Sequence, residues 1–419
     1  MILHIDLNSF FARVEQQAQP HLRDKPVGIL GKGHKGARTC VCAASPEAKK
    51  FGVKSGSSTF EARRLCPSII FVPPDYPKYL DVSRRFMSIL DKFSPWVEIF
   101  SIDEAFLALG AREHFQSIRD TALSPNAHLI EATQVAKEIK RKIREEFGAL
   151  VTVSIGIAWG KVFAKLAGEL QKPDGLTILE KATWLERVGN LPISELCGIG
   201  DRLENHLQMM GITTIRDLST ADAGQFTARF GSSLGIRLWQ IGQGIDNAPV
   251  ESSRNLAAVK SIGHQITLDH REAWQALYPL ITKLTQKVGR RLRRAGLQAS
   301  RLSLFASLAE TGWGATNRHQ PGIMTDPALL RSIHRLWENA PIPATRPVFR
   351  LGVVATNLQA KGQPILPIFP EFKIEEAITE ALDQLRNQYG EQAIEWGSGF
   401  ATEIGNLRDW RGPHAVLDR

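Results

Sequence analysis

The sequence predicts a multidomain protein of mixed α/β (α+β) class, and three observations carry that reading. At 419 residues, 43% of them hydrophobic, the chain exceeds one ordinary domain and can fill several cores. Alternating apolar runs such as Val151-Thr152-Val153-Ser154-Ile155-Gly156-Ile157 are interleaved with stretches whose apolar residues recur every fourth position, as at Val135, Ile139, Ile143 and Phe147. The first period is that of a strand, the second that of an amphipathic helix covering a sheet. Residues 242–253 then bring Gly, Asp, Asn and Pro in quick succession, the composition of a linker.

The first strand is Met1–Ile5, closed by Asp6, and a second, Val97–Phe100, leads into Ser101-Ile102-Asp103-Glu104-Ala105-Phe106. Both runs read as buried sheet strands, so three carboxylates stand at strand ends. Buried acids without compensation cost several kcal/mol each by rough estimate, which makes a divalent metal or a nearby cation the expected partner. Oxygen ligands without His or Cys favour Mg²⁺. Successive strand residues point to opposite faces, so Asp103 and Glu104 can serve one site only where the strand breaks, at a hairpin junction. Asn8-Ser9-Phe10-Phe11 follows the first acid, and backbone N–H groups at that helix start can hold phosphate oxygens. A plainer alternative has Asp6 capping the helix and the other two acids solvated in a turn.

Lys25–Pro74 reads as a small appended module of short strands and helices. Gly31-Lys32-Gly33-His34-Lys35-Gly36 lacks the Gly-Lys-Ser/Thr ending of a phosphate loop and reads as a hairpin turn. A helix begins at Tyr76 and another at Lys161, with Lys172-Pro173-Asp174-Gly175 beyond it. Leu191–Leu218 reads as helix, turn, helix around Gly198-Ile199-Gly200, whose glycines would let backbone N–H groups approach a phosphate without reading bases. Beyond the linker, Val259-Lys260-Ser261-Ile262-Gly263 opens a series of strand, long helix, strands, second helix and final strand that reaches about Gln359. The long helix carries Lys283, Lys287, Arg290, Arg291, Arg293 and Arg294 without an intervening acid, either a solvated face or a phosphate-binding one. Gln363-Pro364-Ile365-Leu366-Pro367-Ile368-Phe369 is a Pro-bounded extended segment suited to docking, or an apolar strand, and Lys373–Tyr389 follows as an amphipathic helix.

A net charge of +9 and a pI near 9.4 suit a polyanionic partner. The four cysteines lack zinc-site spacing and are too sparse for a disulfide framework, which fits a reducing cytoplasm. No apolar run approaches the roughly 20 residues of a membrane span, and the N-terminus is not that of a signal peptide, so neither membrane insertion nor secretion is expected.

Taken together these motifs resemble the Y-family translesion DNA polymerases over most of the chain. The resemblance implies a right-hand polymerase with a palm (1–10 and 75–165), small fingers (11–74), a helix-hairpin-helix thumb (166–241), a linker (242–253), a βαββαβ-like little finger (254–360) and a C-terminal tail (361–419). It implies that Asp6, Asp103 and Glu104 are the catalytic acids, holding two Mg²⁺ ions per active site with the Leu7 carbonyl as a further ligand. Asn8, Ser9, Phe10, Phe11, Lys49 and Lys172 would bind the nucleotide, Phe11 as the ring that excludes a ribose 2′-hydroxyl. Gly198, Ile199, Gly200, Lys260, Ser261, Gly263, Arg290 and Arg294 would contact DNA, and Gln363, Leu366, Ile368 and Phe369 resemble a sliding-clamp-binding peptide. The implied partners are primer-template DNA, deoxynucleoside triphosphates and the clamp, and the implied state is a monomer. One departure stands out: many members place Tyr and Arg where this chain has Pro46 and Lys49, and Lys keeps the charge but loses the bidentate fork. The resemblance thus points to error-prone synthesis across damaged DNA without proofreading. The alternative is a noncatalytic scaffold that binds DNA and the clamp; a metal-dependent nuclease explains the acids but not the other motifs.

Overall fold

The computed structural model describes residues 1–31, 39–110, 125–252, 259–308, 311–361, 370–390, 393–394 and 396–397. The chain divides into two compact units near residue 255.

The first unit is built on strand β1 (Ile2–Leu7), which is followed by helix α1 (Phe10–Ala18). A three-stranded module comes next, from β2 (Val27–Leu30), β3 (Val41–Ala44), α2 (Pro46–Lys49), α3 (Thr59–Leu65) and β4 (Ile70–Val72), with sheet order β3-β2-β4. Its own small core joins Val41, Ala44, Ala48, Val53, Ala62 and Ile69. β2 and β3 run antiparallel, so residues 31–40 connect two hairpin strands, although most of them lie outside the described residues.

Helix α4 (Tyr76–Leu90), β5 (Val97–Ile99), β6 (Glu104–Ala108), α5 (Pro125–Phe147), β7 (Val153–Ala158), α6 (Lys161–Glu169) and β8 (Leu176–Ile178) complete a five-stranded sheet of order β5-β6-β1-β7-β8. Strand alternation divides the two faces of β1. Leu3, Ile5 and Leu7 enter one core with Tyr79, Phe86 and Leu90 of α4 and Ala132, Ala136, Ile139 and Ile143 of α5. Ile2 enters the other with Phe106, Val162, Phe163 and Leu166. The helix expected from the fourfold recurrence is thus α5, and it covers the sheet as its period requires.

Two boundaries differ from expectation. The palm was expected to end at residue 165, yet α6 runs through Glu169 and β8 pairs in parallel with β7, so the sheet continues to Ile178. The stretch 242–253 was expected to be a linker, yet it is strapped to the sheet through residue 251. The Trp159 indole N–H donates to the Gly244 carbonyl (2.9 Å), Asp246 accepts from the first-turn N–H of Val162 (2.7 Å), Val250 is buried, and the Glu251 N–H donates to Glu98 (2.9 Å). Composition marks where a chain can turn, whereas docking depends on which donors it meets. Before that strap come α7 (Trp184–Val188), α8 (Asp201–Gln208), α9 (Ile215–Thr220) and α10 (Ala223–Gly242), the last kinked at Gly231, where φ is +79°.

The second unit follows the expected strand-helix order: β9 (Ser261–Ala273), α11 (Tyr278–Arg294), β10 (Leu297–Ser307), β11 (Gly312–Ile323), α12 (Asp326–Glu338) and β12 (Pro347–Ala360). The sheet order is β11-β10-β12-β9, all antiparallel, and α11 and α12 bury Leu280, Leu284, Val288, Leu329 and Ile333 against it. A last helix, α13 (Pro370–Tyr389), matches the expected amphipathic helix and belongs to this unit: its Arg386, 4% exposed, pairs with the fully buried Asp326 (3.2 Å). Among the described residues no helix is long and apolar enough to cross a membrane.

Candidate active site

The antiparallel register of β1 and β6 sets Asp6 directly opposite Glu104 and His4 opposite Phe106. Paired residues point to the same face, so His4, Asp6, Glu104 and Phe106 form one patch at the sheet end. Asp103 lies one residue before β6, in the turn from β5, and its carbonyl accepts the Leu7 N–H (2.9 Å). The break in the strand that two adjacent acids require is therefore present: Asp103 stands in the turn and Glu104 at the first strand position.

A cavity of about 620 Å³ opens beside these acids. Its lining includes Asp6, Asp103, Phe11, Pro46, Lys49 and Lys172, contributed by β1, the β5–β6 turn, α1, α2 and the loop after α6. The size is that of an ordinary small-molecule site. Glu104 is not part of this wall. One of its oxygens, Oε2, takes both the His4 Nε2–H (2.9 Å) and the Lys165 ammonium.

The three acids differ electrostatically. Burial pushes Asp6 up to about 6; the Lys172 ammonium, 3.1 Å away, opposes that rise and the Asp103 charge adds to it. Burial likewise raises Asp103, partly offset by the Ser101 hydroxyl that bonds it. Glu104 goes the other way: burial alone would raise it, but the hydrogen bonds from His4 and Lys165 hold it at about 2. Lys172 is raised because Asp6 and Glu169 outweigh its desolvation. Partial burial, followed by the charge of Lys172, lowers Lys49.

Phe11 is held from behind. Its ring stacks on Tyr79 (centroids 4.2 Å apart, planes at 14°) and meets the edge of Tyr76. The Tyr79 hydroxyl in turn donates to Glu15 (2.9 Å), which also takes Lys78. Ser9 adopts a left-handed backbone (φ 49°) at the start of α1, and its side chain makes no capping bond. Asn8, Ser9 and Phe10, expected to bind nucleotide, also border the cavity, with the Asn8 and Phe10 side chains buried. Phe10 is 3% exposed and packs in the core. Asn8 donates to Ser154 (2.9 Å) and accepts the Asp174 N–H (2.8 Å), tying the strand end to the loop after α6.

Sequence reasoning passed over His4 and Lys165. His4 could have been found, because it stands two residues before Asp6 on a strand and so shares its face. Lys165 could not, since its link to Glu104 spans 61 residues.

The comparisons with known proteins follow the same chain order. The profile of the impB/mucB/samB family fits residues 5–169, the C-terminal domain of that family fits 259–367, and the DNA polymerase-iota thumb domain fits 194–246. DNA polymerase IV of Moorella thermoacetica is 38% identical over 402 residues, 94% of each chain. DNA polymerase IV 1 of Bacillus subtilis is 32% identical over 412 residues, covering 96% of this chain and 94% of its own. The chain belongs to the Y family of translesion DNA polymerases. Among solved structures, a Y-family DNA polymerase chimera superposes with a TM-score of 0.71 at 25% identity, covering 86% of this chain and 99% of its own. DinB from Sulfolobus solfataricus has the same identity and coverage, with a TM-score of 0.55. This polymerase is thus a DNA-directed DNA polymerase of right-hand architecture.

In the thumb, Gly198 (φ 99°) and Gly200 are exposed around the buried Ile199, just before α8. The element ahead of them is a 3-10 turn at Ile193–Glu195 rather than the expected helix. Ser261 and Gly263 lie on β9, an edge strand, and the Gly263 carbonyl accepts from Arg291 (2.8 Å). Lys260 precedes them, exposed. Arg290, expected on DNA, is only 4% exposed and its guanidinium donates to Asn387 of α13 (2.8 Å); Arg294 is exposed but reaches the same amide. The acids that α11 lacks come from other helices: Arg293 pairs with Asp326 (2.8 Å) and Asp383 (2.6 Å). Much of the basic run therefore holds the unit together, and Arg290 is not available to a phosphate backbone. Gln363, Leu366, Ile368 and Phe369 lie outside the described residues.

Proposed function

We propose that this polymerase adds deoxynucleotides to a primer end by two-metal nucleotidyl transfer, with Asp6, Asp103, Glu104 and the Leu7 carbonyl as the ligands of two Mg²⁺ ions. The observation that carries this is a single cavity lined by two crowded strand-end acids, the Phe11 ring and two lysines. The donor set fits a hard cation: the carboxylates offer oxygen alone, and Asp6 is raised by burial and by Asp103 in the way that a bound cation relieves. Such ions supply the charge that makes the primer hydroxyl a nucleophile and that offsets the negative charge of the triphosphate.

The protein's own groups do the rest. Lys49 and Lys172 present ammonium charge to the triphosphate, and the N–H groups at the start of α1 add donors to the same side. Phe11 meets the sugar and leaves no room for a 2′-hydroxyl; its stack on Tyr79 keeps it from swinging aside. We assign primer-template contacts to the Gly198 and Gly200 backbone and to Lys260, Ser261 and Gly263. We expect synthesis without editing, as the family resemblance implies. Clamp binding through Gln363, Leu366, Ile368 and Phe369, a monomeric state and a cytoplasmic location complete the reading.

Primer extension with Mg²⁺ on undamaged and abasic templates tests it. The intact protein is expected to extend both, and Asp103→Ala and Glu104→Ala to lose extension while still binding primer-template. Binding without extension by the intact protein under any divalent ion would replace this reading with that of a noncatalytic scaffold.

A further inference from the structure

We infer that His4 is a positioning residue for the polymerase reaction: its imidazole fixes the rotamer of Glu104 so that one carboxylate oxygen, Oε1, is left to bind metal. The inference rests on the metal reading of the strand-end acids. His4 is fully buried, and its Nε2 lies 2.9 Å from Glu104 Oε2, the oxygen that Lys165 also contacts. Both partners thus converge on a single oxygen.

The ring itself cannot drift. On one side it leans on Phe106, centroids 5.0 Å apart; on the other it meets α6, where a Cβ added at Gly168 would lie 3.1 Å from Nδ1. That nitrogen has no hydrogen-bond partner. A bare Nδ1 lone pair fixes the tautomer, since an unpaired buried N–H would cost more and a lone pair on Nε2 would repel the carboxylate. Nε2–H therefore donates. Packing alone does not account for the residue, because an apolar side chain would fill this site without stranding a buried nitrogen. Lys165 cannot replace the ring, because an ammonium on a flexible stem restrains a carboxylate less than an imidazole wedged between a sheet and a helix.

The test uses the full chain with His4→Leu, His4→Gln and Glu104→Gln. Mn²⁺ binding is followed by the free-ion paramagnetic resonance signal, with primer-template and a nonhydrolysable nucleotide present, beside melting temperature and steady-state kinetics. Outer-shell partners of metal ligands are typically worth ten- to a hundredfold in affinity, so His4→Leu is expected to weaken Mn²⁺ binding about tenfold while melting no earlier. His4→Gln, whose amide can donate to Glu104, is expected to recover to within about threefold. Unchanged Mn²⁺ affinity in His4→Leu, beside weakened affinity in Glu104→Gln, would overturn the role of His4 alone. Loss in both His4 variants in step with melting temperature would reduce the residue to packing. Unchanged affinity in Glu104→Gln would remove the metal reading and this inference with it.

Discussion

At the scale of single residues, the site holds Asp6 where its charge destabilises the fold. Asp6 is held at about 6, above its ordinary 3.8, chiefly by burial. A raised carboxyl favours the folded state while it is protonated. That contribution is complete below about pH 4 and is lost as pH rises through about 6. With metal chelated, Asp6→Asn is therefore expected to raise stability at pH 8, by at most about 3 kcal/mol from a shift near two units, with the gain vanishing towards pH 4. Thermal melts across that range check it; a gain that grows on acidification would contradict the sign. Glu104 is the opposite case, already stabilised at about 2 by His4 and Lys165. Phe11 sets a second expectation. Phe11→Ala removes the ring that Tyr79 and Tyr76 brace and should increase ribonucleotide incorporation roughly tenfold or more, with smaller change for deoxynucleotides. Competition between the two sugars in single-nucleotide extension measures it.

At the scale of elements, the close approach of α6 to the sheet decides whether Lys165 reaches Glu104. Gly156 on β7 makes that approach possible: a Cβ there would lie 2.0 Å from the Ala164 carbonyl oxygen and 2.2 Å from the Gly168 nitrogen. Backbone cannot yield as a flexible side chain does, so Gly156→Ala must push α6 away. The expected cost is about 1–3 kcal/mol or more, accompanied by loss of extension activity beyond what the remaining folded fraction explains. Urea unfolding and active-site titration together separate the two. Asp246 also belongs to this scale. Its carboxylate accepts from the first turn of α6, so the segment that composition marks as a linker instead anchors the helix carrying Lys165. The strand and helix periods were readable because they are local. The strap was not, because it depends on an N–H 84 residues away in sequence.

For the whole molecule, two units with separate cores should unfold in separable steps. Asp326 gives a way to test that. It is fully buried between Arg293 and Arg386, so Asp326→Ala leaves both guanidinium groups with Asp383 as their remaining carboxylate, a loss of at most about 3–5 kcal/mol. Calorimetry is expected to show the transition of the second unit shifted down and that of the first unchanged. A shared shift would mean that the units unfold as one.

The sequence by itself determined the α/β class, the strand-helix order of both units, the hairpin position of Asp103 and Glu104, and the membership of a polymerase family, because alternation, helical period, turn composition and motif spacing are properties of short stretches. Only the tertiary structure decided which partner each charge takes. His4 meets Glu104 across 100 residues, Lys165 meets it across 61, and Arg293 meets Asp383 across 90. Arg290 shows the same limit from the other side: a basic run reads as a DNA-binding face until another helix covers it. A local pattern specifies the face on which a side chain stands, but its charge is compensated by whatever the folded chain brings opposite, and that is settled by long-range packing.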